Sequence, residues 1–149
     1  MLAMACDYRV MAASEGKKHG TIGLNESQFG ILAPPWMAQL TIRTIGFRKA
    51  EKALTLGTLF SPEDALQVGL VDEVVKSDLV LKRSHEIASQ FTKIPPLARS
   101  GSKMLSRKTY LDELIACRDE DISYFCNFIQ NDTVQRGLGS YLEKLKQKT

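Results

Sequence analysis

The order of apolar and polar positions predicts short strands early in the chain and helices through its second half. Leu2 to Cys6 has the pattern of a helix end, and Tyr8 to Ala13 is rich in β-forming residues. A polar loop from Ser14 to Gly20 separates that run from Thr21 to Leu24, a second short strand. Leu70 to Val75 is the last predicted strand. Because an isolated strand pair is marginal in water, we expect strands upstream of the printed sequence to complete the sheet.

The remaining segments have helical periodicity and recognisable ends. Ser61 suits an N-cap, Pro62 suits the first helical position, and Gly69 suits a left-handed C-cap. Pro95-Pro96 is the sharpest break in the second half. Helices are predicted over Trp36 to Thr44, Arg48 to Leu56, Pro62 to Val68, Asp78 to Phe91, Pro96 to Lys108, Leu111 to Gln130 and Asp132 to Lys146.

Composition indicates one globular domain of ordinary size. The chain has 149 residues, of which 44% are apolar and 25% charged. Its net charge of +3 is dispersed, which argues against a dedicated nucleic-acid binder. No apolar run approaches the roughly 20 residues needed to span a membrane. Three cysteines and two histidines without metal-ligand spacing predict neither a metal site nor a disulfide framework.

The N-terminal segment is apolar from its first residues. A domain usually begins with a polar, solvated lead-in, because termini lie at the surface. Met1 to Ala13 contains an apolar stretch that meets Asp7 early, so it does not have the pattern of a signal peptide. We therefore expect the chain to be cut from a longer one.

Glu26 is the candidate for chemistry because it lies in a largely apolar, glycine-punctuated run. No Lys, Arg or His lies between Thr21 and Trp36 to pair with it. Apolar surroundings disfavour a charged carboxylate, so we expect a raised pKa for Glu26, which suits a general base near neutral pH. The structural alternative is a helix cap or first-turn charge at Asn25-Glu26. The pattern alone favours that alternative.

Three segments in a fixed order give the chain a family resemblance. They are Leu2 to Ala12 (LAMACDYRVMA), Ile22 to Ile31 (IGLNESQFGI) and Ser61 to Val75, which ends in GLVDEVV. Each segment alone is weak, but their order and spacing are specific, and a helical region follows them. The chain resembles the C-terminal part of the crotonase (enoyl-CoA hydratase/isomerase) superfamily over essentially its whole length.

The resemblance implies an α/β fold, namely the C-terminal part of a ββα spiral that is mostly helical with a few short strands. It also divides the chain by role. Residues 1–76 are expected to form the end of the spiral core that carries Glu26. Residues 77–149 are expected to form a helical region that makes trimers and covers the active site.

The resemblance further implies a proton shuttle. Glu26 matches the family's catalytic glutamate, which removes a proton from C2 of a 3-enoyl-CoA and returns it to C4 of the dienolate. Asn25 matches a position that contacts substrate in the isomerases, and a turn or cap role stays open. Phe29 and Trp36 are candidates for lining the acyl tunnel, although aromatics at this spacing also serve as plain core.

Isomerases and hydratases of the superfamily differ at a second glutamate. Its position matches Met1, and methionine cannot activate water, although an artificial start at Met1 would hide the native residue. Hydratases also tend to carry proline directly before the catalytic glutamate, where this chain has Asn25. These residues favour an isomerase. A hydratase and a non-catalytic crotonase-like subunit are the alternatives.

The implied reaction takes an acyl-CoA thioester as substrate and needs no cofactor and no metal. The implied partners are copies of the same chain in a homotrimer, and the implied compartment is the mitochondrial matrix. The family's two oxyanion-hole donors come from a loop well upstream and from a Gly-Gly just before Met1. Losing one such donor costs on the order of 3 kcal/mol of transition-state stabilisation. We therefore expect the isolated 149 residues to be inactive.

Overall fold

The computed structural model describes residues 2–16 and 20–146, without the side chain of Lys144. The predictions for Met1, and for the middle of the polar loop at residues 17–19, lie outside the described residues. The helices are Leu2–Ala5 (α1), Pro35–Ile45 (α2), Phe47–Leu56 (α3), Pro62–Val68 (α4), Val80–Thr92 (α5), Pro96–Ala116 (α6), Arg118–Ile129 (α7) and Asp132–Lys146 (α8). The strands are Val10–Ala12 (β1), Ile22–Gly23 (β2), Leu59–Phe60 (β3) and Glu73–Val75 (β4), and short 3₁₀-helices span Glu26–Phe29 and Ser77–Leu79.

Local signals placed most elements correctly. The Ser61 hydroxyl accepts a hydrogen bond from the backbone N–H of Asp64 at 3.1 Å, so the predicted N-cap of α4 is confirmed. Gly69 ends α4 and Gly57 ends α3, each in the left-handed conformation, with φ of 85° and 62°. The predicted α1, β1, β2, α2, α3 and α8 are likewise present within about two residues of their expected bounds.

The predicted break after Lys108 is wrong. Helix α6 continues to Ala116, because residues 109–116 contain no glycine or proline to interrupt it. The break falls instead at Cys117, directly before the acidic first turn of α7.

The predicted strand from Leu70 to Val75 is too long. The backbone N–H groups of Leu70 and Val71 both donate to the carbonyl of Ala65, at 2.8 and 3.2 Å, so these residues complete the end of α4. Within the predicted segment, only Glu73–Val75 (β4) forms a strand. The two-residue strand β3 was not predicted, since a run that short has no periodicity to detect.

The chain divides into two compact units, each made of two segments. One is Met1–Ile22 with Phe60–Cys117, and the other is Gly23–Leu59 with Arg118–Thr149. The predicted division between residues 1–76 and 77–149 concerns roles rather than contacts, and it stays a prediction.

A parallel strand pair organises the first unit. Strand β1 pairs with β4, and Val10 lies opposite Glu73. The pairing is extended by Arg9, whose carbonyl accepts from the N–H of Asp72 at 2.9 Å and whose Nε donates to the Asp72 carboxylate at 2.9 Å. The buried residues of this unit include Met4, Pro62, Ala65, Leu70, Val71 and Ile87.

A polar network in the first unit links β4 to its surroundings. The Tyr8 hydroxyl donates to Glu73 Oε2 at 3.3 Å, and Arg83 Nε donates to both Glu73 oxygens, at 2.8 and 3.0 Å. Burial raises the pKa of Tyr8, and the neighbouring Glu73 carboxylate raises it further. The same hydrogen bonds to Glu73, with one to Glu86, raise the pKa of Arg83.

The second unit is built on the packed pair α2 and α3. Gly46 joins them with φ 82° and ψ 154°, a backbone conformation that favours glycine and lets one helix follow the other at once. Buried Ile45 of α2 and the small buried residues Ala50 and Ala53 of α3 belong to this unit's core. Val134 of α8 is buried in the same unit.

Candidate active site

Glu26 opens a single 3₁₀ turn between β2 and α2. Asn25 occupies the N-cap position, and Gly30 ends the turn in the left-handed conformation, with φ 75° and ψ 15°. The backbone N–H of Gln28 donates to the Asn25 carbonyl at 3.0 Å, and the N–H of Ile31 donates to the Glu26 carbonyl at 3.2 Å. These bonds satisfy the backbone of the turn locally and leave the Glu26 side chain for other contacts.

One oxygen of the Glu26 carboxylate is buried without a hydrogen-bond partner. Among the residues that the structure describes, Glu26 Oε2 is the only buried side-chain nitrogen or oxygen in this state. None of the ion pairs recorded among the described residues includes Glu26. A buried polar atom left unsatisfied costs about 1–3 kcal/mol, so native proteins keep few of them, often at functional sites.

The capping alternative for Asn25-Glu26 is met in position but not in hydrogen bonding. Asn25 stands at the N-cap and Glu26 in the first turn, as that alternative expects. The Asn25 side chain makes no cap hydrogen bond, however. The helix that Glu26 would favour through its dipole is only four residues long, so the carboxylate gains little there. Capping therefore does not account for the orphaned oxygen.

The residues after Glu26 fasten the turn to the end of α3. The Ser27 hydroxyl donates to the Leu54 carbonyl. The Gln28 side-chain Nε2 donates to the Gly57 carbonyl at 2.8 Å and, more weakly, to the Leu56 carbonyl at 3.4 Å. The last carbonyls of a helix lack intrahelical donors, so the turn supplies partners that α3 needs.

Two glycines allow the backbone around the turn to approach closely. A Cβ added at Gly23 would lie 2.2 Å from the Thr58 carbonyl oxygen. A Cβ added at Gly57 would lie 2.7 Å from Gln28 Cγ and 3.2 Å from Asn25 Cα. Neither position has room for a side chain.

Helix α8 contacts the same turn at Phe29. The rings of Phe29 and Tyr141 lie with their centroids 4.1 Å apart at an interplanar angle of 44°. A Cβ added at Gly137 would lie in ordinary contact with the Phe29 carbonyl oxygen, at 3.7 Å. The turn that carries Glu26 therefore contacts both α3 and α8 within one unit.

The sequence profile of the enoyl-CoA hydratase/isomerase family matches residues 1–148. This chain belongs to that family. It is 50% identical over 148 residues to "Enoyl-CoA delta isomerase 1, mitochondrial" of Mus musculus and 43% identical to the Homo sapiens protein of that name. These alignments cover 99% of this chain and 50% and 48% of those proteins. The chain thus spans about half the length of the curated relatives it matches.

A solved structure supports the same family membership. The crystal structure of human mitochondrial delta3-delta2-enoyl-CoA isomerase superposes with a TM-score of 0.91 at 42% sequence identity. The match covers 99% of this enoyl-CoA hydratase/isomerase chain and 56% of the human chain. The predicted α/β fold, the C-terminal part of the crotonase spiral, is confirmed.

The predicted site residues of this family member lie in one stretch of the second unit. Asn25, Glu26 and Phe29 are in or beside the 3₁₀ turn, and half-buried Trp36 is in the first turn of α2. Phe29 packs on Tyr141, which fits the core alternative for it. Substrate contact by Asn25, Phe29 and Trp36, and catalysis by Glu26, stay predictions.

Sequence reasoning missed the residues that hold the turn. Gln28, Gly57 and Tyr141 act across segments that no local pattern connects. The positions of Gly23 and Gly57 can be read from the sequence. The close approach of Gly23 to Thr58, and of Gly57 to Asn25 and Gln28, cannot be read there.

Other site types receive less support from the described residues. No group of three or more His, Cys, Asp or Glu is arranged there to hold a metal ion. No described helix is long and apolar enough to cross a bilayer. A cavity of about 310 Å³ in the first unit, bordered by Tyr8, Ile87 and Arg99, contains none of the predicted site residues.

Proposed function

We propose that the protein is an enoyl-CoA isomerase that converts 3-cis- or 3-trans-enoyl-CoA into 2-trans-enoyl-CoA in the β-oxidation of unsaturated fatty acids. The observation that carries the proposal is the buried, unpartnered Oε2 of Glu26. An oxygen that no protein donor occupies is able to accept a substrate proton without first breaking a bond. The isomerase names of the mouse and human relatives support this choice of reaction.

Glu26 would act in turn as base and acid. Its carboxylate removes a proton from C2, beside the thioester carbonyl, and the electron pair of that C–H bond spreads over the dienolate. The protonated Glu26 then returns the proton to C4, so the double bond moves from C3–C4 to C2–C3. One carboxyl group is able to serve both steps because the proton leaves and rejoins the same face of the substrate's acyl chain.

The remaining parts of the proposal follow from that chemistry and from the relatives. The reaction moves one proton and leaves the oxidation state unchanged, so it requires no redox cofactor, and we propose that it also proceeds without a metal. The substrate is a fatty acyl-CoA. The relatives' printed names are mitochondrial, which supports a mitochondrial protein, and we place it in the matrix. We also propose a homotrimer, in keeping with the family resemblance.

The test is turnover of a 3-enoyl-CoA by the intact gene product, followed by the ultraviolet absorbance of the conjugated 2-enoyl thioester. Glu26→Gln keeps the size of the side chain but removes the base. We expect it to lower kcat by about 10²- to 10⁴-fold. The matched control is Glu51→Gln, because Glu51 is an exposed carboxylate of α3 that pairs with Arg48 at 2.6 Å. This control should retain parental turnover.

Three outcomes would contradict the proposal. Retained turnover in Glu26→Gln removes Glu26 from the chemistry. Formation of 3-hydroxyacyl-CoA from 2-enoyl-CoA, without double-bond migration, identifies a hydratase. Binding of acyl-CoA with neither reaction identifies a non-catalytic crotonase-like subunit.

A further inference from the structure

The 3₁₀ turn that carries Glu26 is too short to hold a half-buried carboxylate with one buried oxygen by itself. It has four residues, and such helices have poorer hydrogen-bond geometry than α-helices. The unpartnered Oε2 adds a penalty that favours any movement of Glu26 toward water. Something outside the turn must therefore fix its position.

The Gln28 side chain makes the longest-range hydrogen bonds of the turn. Its Nε2 carries two N–H groups and reaches two successive carbonyls, Gly57 at 2.8 Å and Leu56 at 3.4 Å. Both acceptors lie at the end of α3, after the last intrahelical donors. The bond to Gly57 is half-buried, so competition from water is reduced.

Direct packing also sets the distance between the turn and Gly57 at the end of α3. Gly57 adopts φ +62°, and a Cβ there would lie 2.7 Å from Gln28 Cγ and 3.2 Å from both Asn25 Cα and the Asn25 carbonyl oxygen. The backbone of Asn25, the residue before Glu26, thus rests on Gly57. The end of α3 contacts the turn on both sides of Glu26.

The end of α3 is itself a firm support. Helix α3 packs along α2, and its buried Ala50 and Ala53 belong to the unit's core. Helix α2 starts five residues after the turn ends at Gly30. The chain therefore runs from the turn through two packed helices and returns to the turn at Gly57, where Gln28 closes the loop.

We propose that Gln28 is a positioning residue, which with Gly57 fixes the Glu26 carboxylate for proton transfer. The inference rests on the proposed function of Glu26. A proton shuttle between two carbon atoms depends on the placement of one carboxyl group, and a displacement of about 1 Å is able to cost on the order of 100-fold in rate. Substrate binding does not depend on the Gln28 amide, since that amide is directed at α3.

The test is Gln28→Met in the intact gene product. Methionine keeps the length of the side chain, adds no charge beside Glu26 and removes both N–H donors. We expect kcat for 3-enoyl-CoA isomerisation to fall by about 10- to 100-fold while KM stays within about twofold. The matched control is Gln39→Met, because Gln39 is exposed on α2 of the same unit. This control should keep the parental kcat.

A second pair of variants separates positioning from general stability. Gly57→Ala and Gly69→Ala both place alanine in a left-handed helix end, with φ of 62° and 85°. Only Gly57 has atoms within 4 Å of the added Cβ. We expect both variants to lower the melting temperature, and only Gly57→Ala to lower kcat at a temperature where both are folded.

Hydrogen exchange of the turn amides gives a readout that does not depend on turnover. Gln28→Met should speed exchange at Gln28, Gly30 and Ile31, whose N–H groups close the turn. A parental kcat in Gln28→Met overturns the positioning role. Equal loss of kcat in Gly57→Ala and Gly69→Ala reduces the effect to stability and also overturns it. An inactive parent protein overturns the proposed function. In that case, unchanged exchange in Gln28→Met independently overturns the claim that the Gln28 side chain holds the turn against the end of α3.

Discussion

Gly23→Ala offers the sharpest test of how the turn is built, because the added Cβ would overlap with backbone atoms. The new Cβ would lie 2.2 Å from the Thr58 carbonyl oxygen and 3.1 Å from Leu59 Cα. Non-bonded carbon atoms attract best at roughly 3.5–4.0 Å, so relief of a 2.2 Å contact requires the backbone around residue 58 to retreat by at least about 1 Å. The obstructing atoms belong to the main chain, and no rotamer change moves them aside.

We expect this variant to lose about 1–3 kcal/mol of unfolding free energy, the usual cost of overpacking. For a domain of about 150 residues that loss corresponds to a melting temperature lower by roughly 2–12 °C. Gly23 is not among the glycines with positive φ, so backbone strain does not contribute to a measured loss. Urea unfolding and thermal circular dichroism of the intact gene product measure both quantities.

The control for Gly23→Ala is the same substitution at Gly101. That residue lies inside α6 and has no atom within 4 Å of an added Cβ. Alanine is favoured over glycine in a helix interior by about 0.8–1 kcal/mol, so Gly101→Ala should stabilise the protein. If Gly23→Ala is as stable as the parent while Gly101→Ala is stabilised as expected, the close approach of residues 23 and 58 is refuted.

Two further substitutions test the electrostatics of the two units. Tyr8 has a pKa raised above its ordinary value of 10.0 by burial and by Glu73, so the folded state holds its proton more tightly than the unfolded state. This contribution to stability is present below pH 10 and is lost as the pH rises through the folded-state pKa. Between about pH 9 and pH 11, the unfolding free energy measured with urea should therefore decrease less for Tyr8→Phe than for the parent. Glu26→Met removes the unpartnered buried oxygen at similar side-chain length, so the unfolding free energy should rise by on the order of 1 kcal/mol while turnover is lost. A less stable Glu26→Met would mean that the carboxylate has a stabilising partner.

The sequence predicted those features whose causes are local. The cap of α4 depends on Ser61 and Asp64, three residues apart, and its closure depends on Gly69. The absence of cations around Glu26 could likewise be counted along the chain, and the structure bears it out with an oxygen that lacks a partner. The Gln28 bond to Gly57 spans 29 residues, and the Phe29 contact with Tyr141 joins distant segments. No periodicity or spacing rule reports such pairs, since they arise only when α2, α3 and α8 pack.

The polar side chains of the turn differ in whether they are hydrogen-bonded. Ser27 and Gln28 direct their donors at the end of α3, where carbonyls need partners, and so contribute to folding. The preceding residue, Glu26, keeps its buried Oε2 without a hydrogen-bond donor, at a cost to stability. If Glu26 Oε2 were hydrogen-bonded like its neighbours, the proposed proton acceptor would have to break a bond before it took up a proton. The bonds at positions 27 and 28 offset that cost, which allows the turn to hold one unsatisfied carboxylate without opening.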